Sequence, residues 1–381
     1  MEKGDLISPI TVASWLKNLA ILDGVGGLAY LESLVGKGTP VDSDVLFYRN
    51  ELAELASIRI MALAGKDVFE MGDKSGVSQI MRSILSDSMV MHQSSDSVSA
   101  HDVVSRILRD FWQKKHKRLA HSGLFALDEL LYGFHPSSMY TIMARMSVGK
   151  TSLLSWIALQ AANAGFSFSY VTADMSPEAL IERMLSTLSG VDLSTIMRWV
   201  DVITEVELTK FYDAAQRLDA LPIYFIYVKT TQIDDAIQAL RREKIVHHTD
   251  IAGLDYLQLF SDKRAESHTV ELDGISHKLK ALTLELDIPL IAAIAANRGS
   301  VQEKRGVGVG DVRGSDSIAY DSDVMITLDD MDERMDSEGN VLPEGVKRVK
   351  VRVAKSRNGR TGEVICKFDG RYQRWACEVQ T

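Results

Sequence analysis

The stretch Ala144-Arg-Met-Ser-Val-Gly-Lys-Thr151 decides the reading of this chain. It closes an apolar run, Tyr140 to Met143, and opens a helical pattern from Ser152 to Ala164. A strand, a short loop and a helix start, ended by Gly149-Lys150-Thr151, form a cradle for a nucleoside triphosphate. Backbone N–H groups wrap the phosphates, the lysine reaches the β and γ oxygens, and the threonine hydroxyl sits on Mg²⁺. The residues of that cradle are Ala144, Arg145, Ser147, Val148, Gly149, Lys150, Thr151 and Ser152, with Thr151 a metal ligand. One position departs from G-x-x-x-x-G-K-[ST]: Ala144 stands where the first glycine belongs. A lone Gly-Lys-Thr at a helix start is therefore the competing reading, and the rest of the chain must decide.

Bulk composition sets bounds. The 381 residues leave room for two domains, 46% of them are apolar, and the formal net charge is −9. Such a charge argues against a nonspecific nucleic-acid coat, while leaving room for local basic loops. The two cysteines, Cys366 and Cys377, have no His or Cys partner at metal spacing, so they read as ordinary thiols of a reducing cytosol. No run approaches the roughly 18 apolar residues of a membrane span, and no signal-type apolar core follows the N-terminus, so the expectation is a soluble, cytoplasmic protein.

Three segments differ in pattern. Residues 1–95 read as a small helical domain, with apolar residues three and four apart (Val12, Trp15, Leu16, Leu19; Leu52, Leu55, Ile58) between glycine-marked turns. Residues 96–119 read as a linker carrying an amphipathic helix. Val103, Val104, Ile107, Leu108, Phe111 and Trp112 form its stripe, and the basic run Lys114-Lys-His-Lys-Arg118 follows. That stripe could pack on its own domain or on a neighbouring subunit. From 120 to 381, short apolar runs alternate with helical patterns, which implies an α/β fold with a mainly parallel sheet. The runs at Val349–Ala354, Glu363–Phe368 and Arg374–Val379, with turns at Asn358-Gly359 and Asp369-Gly370, predict antiparallel strands closing one sheet edge.

Ligands of such sheets lie at the C-terminal strand ends, so the residue after each run carries the chemistry. Asp255 ends one run and is placed to hold Mg²⁺ through water. Asp174 ends the strand after the phosphate loop and is placed to deprotonate the attacking water. Lys355 and Arg357 alternate along a strand, so they point to one side. They read either as a solvated edge or as a cationic finger on the γ-phosphate of a neighbouring subunit. The stretch Arg298 to Ser317 is glycine-rich and carries Arg305 and Arg313. It reads either as a surface loop or as one whose N–H groups and arginines hold a nucleic-acid backbone.

In this order the pieces resemble the DnaB-type replicative DNA helicases of bacteria and phages. That family's phosphate loop commonly starts Ala-Arg, as here. Ser122-Gly123-Leu-Phe-Ala-Leu-Asp128 resembles its motor-domain lead-in, and Thr172-Ala-Asp-Met-Ser176 its Ser-Leu-Glu-Met motif. Asp255-Tyr-Leu-Gln-Leu259 matches its Mg²⁺ motif, and Lys355-Ser-Arg-Asn-Gly359 the motif with the arginine finger. Asp311-Val-Arg-Gly-Ser-Asp-Ser-Ile318, with Asp321 and Asp323, resembles the DNA-loop motif.

The resemblance implies a RecA-like P-loop motor behind a shortened helical N-terminal domain. The linker helix would dock on the adjacent subunit of a homo-hexameric ring, moving 5′ to 3′ on single-stranded DNA with ATP and Mg²⁺. Primase and a helicase loader would be further partners. The implied catalytic set is Lys150, Thr151, Asp174, Asp255, Lys355 and Arg357; the implied DNA contacts are Arg298, Arg305, Arg313, Gly314, Ser315 and Asp316. The family's γ-phosphate-sensing glutamine falls on Ala295, its catalytic Glu on the shorter Asp174, and Gly314 and Asp316 replace its usual Glu and Gly. A RecA-like recombination or regulatory ATPase, and a weakly active helicase-like assembly protein, are the alternatives.

Overall fold

The computed structural model describes residues 99–112, 118–198, 202–262, 268–296, 317–333 and 335–378. The chain divides into two compact units, Met1–Lys115 and His116–Thr381. In the first, helix α1 (Ala100–Trp112) is described. Ser99 caps it: its Oγ accepts from the Asp102 N–H at 3.1 Å and donates to the Asp102 carboxylate at 2.6 Å. Val104, Ile107, Leu108, Phe111 and Trp112 are all exposed along one stripe. The helical reading of residues 1–95 lies outside the described residues.

The second unit runs α2 (Phe125–Leu131), β1 (Met139–Ala144), α3 (Lys150–Asn163), β2 (Phe168–Thr172), α4 (Pro177–Ser189), α5 (Leu193–Met197), α6 (Glu205–Asp219), β3 (Ile223–Tyr227), α7 (Ile233–His247), β4 (Ile251–Asp255), α8 (His268–Leu286), β5 (Leu290–Ala295), α9 (Ser317–Asp321), β6 (Val324–Asp330), β7 (Val346–Ser356), β8 (Gly362–Asp369) and β9 (Arg374–Cys377). The strands form a sheet of order β3-β2-β4-β5-β1-β6-β7-β8-β9. Pairing is parallel from β3 through β6 and antiparallel from β6 to β9. The mixed, mainly parallel α/β sheet and its antiparallel edge thus follow the expectation.

Strands β1, β2 and β4 are buried along their whole length, because helices cover both faces. Tyr140, Ile142 and Ala144 of β1 pack towards α2 and α3, with Leu127, Leu131, Leu153 and Ile157. Met139 and Met143 point the other way, towards Ile233 and Leu240 of α7 and Leu272, Ile275 and Leu279 of α8. Strand β4 ends at Asp255, where the sequence places a strand end, and the apolar residues that follow turn into a short 3₁₀ helix, Leu257–Leu259. Helix α4 starts at a Ser176 cap followed by Pro177, and α6 starts in a capping box between Thr204 and Glu207.

Two features of the antiparallel edge bear on the site. Cys366 and Cys377, expected as separate thiols, face each other across β8 and β9 and are disulfide-bonded. Gly359, in the β7–β8 turn, presses on the end of α2: a Cβ there would lie 2.2 Å from the Leu130 carbonyl oxygen. The neighbouring Arg360 N–H donates to the same oxygen at 2.7 Å. Gly359→Ala is therefore expected to push α2 off the edge and to cost about 1–3 kcal/mol, the usual scale for overpacking. Thermal unfolding of the variant beside the parent measures it, and an unchanged Tm would contradict the close approach.

Candidate nucleotide site

The phosphate loop leaves the end of β1 and must turn sharply to enter α3. Ser147 adopts φ 64° and Gly149 φ 117°, so the loop depends on two left-handed residues. A Cβ on Gly149 would meet the Trp375 ring of β9 at 2.8 Å. Val148 is buried beneath the loop. Gly149 is the N-cap of α3, whose first residues, Lys150, Thr151 and Ser152, present unpaired helix-start N–H groups. Such an end favours an anion.

Ser147, Gly149, Lys150, Thr151 and Ser152 line a cavity of about 470 Å³, within the range of small-ligand sites. The same cavity is lined by Asp174, Asp255 and Ala295 from the ends of β2, β4 and β5. It also takes in Met175, Arg183, Tyr256, Phe368 and Gln373, residues that the sequence reading did not single out. Tyr256 follows Asp255 directly and had a local signal; Arg183 and Gln373 did not.

Lys150 Nζ donates to the carbonyls of Ala144 and Arg145 at 3.0 and 3.2 Å. Burial lowers its pKa, against the opposing pull of Asp255 and Asp174. Asp255 is almost fully buried, and the Tyr170 hydroxyl donates to its Oδ2 at 3.4 Å. Its Oδ1 is buried without a hydrogen-bond partner. Burial raises the Asp255 pKa; Asp174 adds to the rise, while the Thr151 hydroxyl and Lys150 oppose it. A buried acceptor beside a threonine hydroxyl is a donor set suited to a hard cation that keeps several waters.

Lys355 and Arg357 do not line this cavity; both close on α9. Lys355 Nζ donates to the carbonyls of Ala319, Tyr320 and Ser322 at 2.6, 3.1 and 2.6 Å. Arg357 pairs with Asp323 at 3.0 Å and donates to the Tyr320 carbonyl at 3.2 Å. Asp323 also accepts from Lys280 at 2.6 Å and from the Met139 N–H at 2.8 Å. Asp321 accepts from Ser276 and pairs with His277 of α8. Of these two acids, read from sequence as part of a DNA-loop motif, Asp321 fastens α9 to α8, and Asp323 ties Arg357 to α8 and to the first N–H of β1. Arg298, Arg305, Arg313, Gly314, Ser315 and Asp316 lie outside the described residues.

The net surroundings of Asp255, Lys150 included, disfavour its charge, so the folded-state pKa lies above the unfolded one. The folded unit therefore gains stability as pH falls through that value and lacks the gain at neutral pH. Asp255→Asn is expected to raise Tm at pH 7, since it removes a charge that burial disfavours. The difference should vanish in acid, while nucleotide hydrolysis is lost. Calorimetry at both pH values checks it; a lower Tm at pH 7 would mean that Lys150 outweighs burial.

Comparison with known proteins agrees with this geometry. Residues 120–377 match the DnaB-like helicase C terminal domain family. The replicative DNA helicase DnaB of Leifsonia xyli subsp. xyli is 28% identical over 391 residues, covering 98% of this chain and 82% of that protein. The ATPase domain of G40P superposes with a TM-score of 0.67 at 23% identity, over 74% of this chain and all of that one. A DnaB-like replicative helicase, solved in a study of its interactions with primase, gives 0.65 at 20% identity, over 98% and 88%. At these identities the structural likeness speaks for the fold. With its C-terminal two thirds matched throughout, this chain belongs to the DnaB-like helicase family.

Proposed function

We propose that the chain is an ATP-driven replicative DNA helicase, working as a homo-hexameric ring that moves 5′ to 3′ on single-stranded DNA. One observation carries this reading: Lys150, Thr151, Asp255 and Asp174, from three strand ends, converge on a single cavity beside a helix N-terminus. Residues 120–381 are the motor, 1–95 a helical N-terminal part and 96–119 the linker. The exposed stripe of α1 suits docking on the next subunit, which removes about 25 cal/mol of unfavourable hydration per Å² covered.

In this mechanism the N–H groups of Gly149 to Ser152 bind the ATP phosphates, and Lys150 swings from the Ala144 and Arg145 carbonyls to the β and γ oxygens. Thr151 and Asp255 would hold Mg²⁺, which would supply positive charge against the negative charge that develops during phosphoryl transfer. Asp174 orients the attacking water and takes its proton. Lys355 and Arg357 neutralise the transferred phosphoryl group of the neighbouring subunit, leaving their contacts with α9 to do so. The stretch Arg298 to Ser317 would grip the DNA backbone through Arg298, Arg305 and Arg313, with Gly314, Ser315 and Asp316 beside them. Primase and a loader complete the set of partners, and the site of action is the cytoplasm; no described helix is long and apolar enough to cross a membrane.

A weakly active assembly protein is the second reading, favoured by Ala295, which offers the cavity no polar side chain. Forked-duplex unwinding with ATP, run beside solution mass, separates the two: unwinding by a hexamer supports the helicase, while a ring without turnover supports the assembly protein. Lys150→Ala is expected to abolish hydrolysis and unwinding. Arg357→Ala should keep ATP bound yet lose at least about a thousandfold in turnover; wild-type turnover would exclude the finger in trans. Asp174→Glu should raise turnover, since one methylene more brings the carboxylate to the water, and single-turnover hydrolysis would register a drop if the site is built for the shorter acid.

A further inference from the structure

Helix α4 begins three residues beyond Asp174 and runs along the cavity. From Pro177 to Arg183 it advances about 9 Å, roughly the length of a triphosphate. Asp174, Asp255 and Ala295, from the ends of β2, β4 and β5, line the cavity; Arg183, Gln373 and Phe368 line it as well, with Gln373 bonded to Ser152, the third residue of α3. Since a P-loop lysine reaches the β and γ oxygens while the N–H groups behind it hold the α and β phosphates, the Ser152 side is the α-phosphate end.

Two lining residues carry positive charge, Lys150 and Arg183. Arg183 is held in place by Gln373, whose Oε1 accepts from Arg183 Nη1 at 2.9 Å and from the Ser152 hydroxyl. Gln373 is itself fixed. It is buried, sits at φ 53°, donates from Nε2 to the Gly370 carbonyl at 2.6 Å, and its carbonyl accepts from Thr187 Oγ1 at 3.2 Å. Arg374 Nε and Nη2 close the same turn on the Thr187 carbonyl at 2.9 and 2.7 Å. A guanidinium has five donors in a rigid fork that suits phosphate oxygens, and Gln373 takes one of them. Beside it the Phe368 ring, stacked on Trp375 at 4.7 Å, lends the cavity an apolar wall.

We infer that Arg183 is the α-phosphate contact of this nucleotide site, and that Gln373 is the residue that positions it. The inference rests on the nucleotide reading of the cavity and adds to it a cation from the same subunit, distinct from Lys150 and from the finger supplied by a neighbour. Because the α-phosphate is common to both nucleotides, Arg183 serves ADP as well as ATP.

Titration of the full chain with ADP, with ATPγS, and with the two diastereomers of ADPαS tests it. Arg183→Ala should weaken ADP and ATPγS by the same factor, about tenfold. It should also shrink the parent's preference between the ADPαS diastereomers, which a merely structural loss leaves intact. Gln373→Glu keeps the contacts to Ser152 and Arg183 but neutralises the guanidinium, so it should reproduce both effects, and it tests the idea if Arg183→Ala does not fold. Arg183→Lys should recover part of the affinity. A loss confined to ATPγS, or an unchanged diastereomer preference in both variants, would overturn the assignment. Lys150→Ala is the control: if it leaves ADP and ATPγS binding unchanged, the nucleotide reading itself fails, whereas a weakened Lys150→Ala beside unaffected Arg183 variants sinks the inference alone.

Discussion

The phosphate loop keeps its shape because Trp375 occupies the space where a side chain at Gly149 would stand. The indole lies 2.8 Å from the point a Cβ would occupy, and Gly149 itself holds φ 117°. Two requirements, a left-handed backbone and a missing side chain, therefore fall on one residue, and both are met by glycine alone. Trp375 comes from β9, the last strand of the sheet, and stacks on Phe368 of β8. The loop that precedes α3 is thus shaped by a strand far along the chain, β9. The antiparallel edge, which looks like an accessory to a parallel sheet, acts as the wall of the nucleotide site.

The same edge also carries two cations that meet at α9. At the end of β7, Lys355 and Arg357 meet at the Tyr320 carbonyl, and Arg357 pairs with Asp323. Burial, and then the neighbouring Arg357, lower the Lys355 pKa. Two cations so close are tolerated because three carbonyls at the end of α9 point at Lys355 and Asp323 faces Arg357. Asp323 also accepts from Lys280 and from the first N–H of β1. One buried acid thereby ties α8, the central strand and Arg357, so that a shift of α9 would be felt at all of them.

Much of this was legible in sequence because it is local. The apolar run Tyr140–Met143 is a buried strand read directly, and Lys150, Thr151, Asp174 and Asp255 each sit at or just past where a run ends. Beyond Asp255 the hydrophobicity continues although the strand does not: Leu257 and Phe260 are buried in the 3₁₀ turn and its exit. Contacts made by register were invisible. Cys366 meets Cys377 because β8 and β9 pair antiparallel, and Lys355 faces Met325 across a bulge between β6 and β7. Gln373 meets Ser152 across 221 residues, and no spacing rule links a turn at the sheet edge to the start of α3. Arg183 resembled an ordinary polar position on an amphipathic helix; only the fold turns it to the cavity.

Ala295 changes how the charge of hydrolysis must be shared. The Gln258 amide clamps its backbone on both sides, donating to the Ala295 carbonyl and accepting from its N–H, each at 3.0 Å. The end of β5 is therefore held rigidly, but it presents a methyl group to the cavity. A side-chain amide there would have supplied a donor to a γ-oxygen from within the subunit. Without it, the described positive charge at the site comes from Lys150 and Arg183, and if Arg183 serves the α-phosphate, Lys150 alone faces the γ end in cis. Under the proposed mechanism the balance must come from Lys355 and Arg357 of a neighbour. Those groups are engaged with α9 and Asp323, so an isolated subunit would hold ATP with little means of cleaving it, and turnover would follow assembly rather than nucleotide affinity.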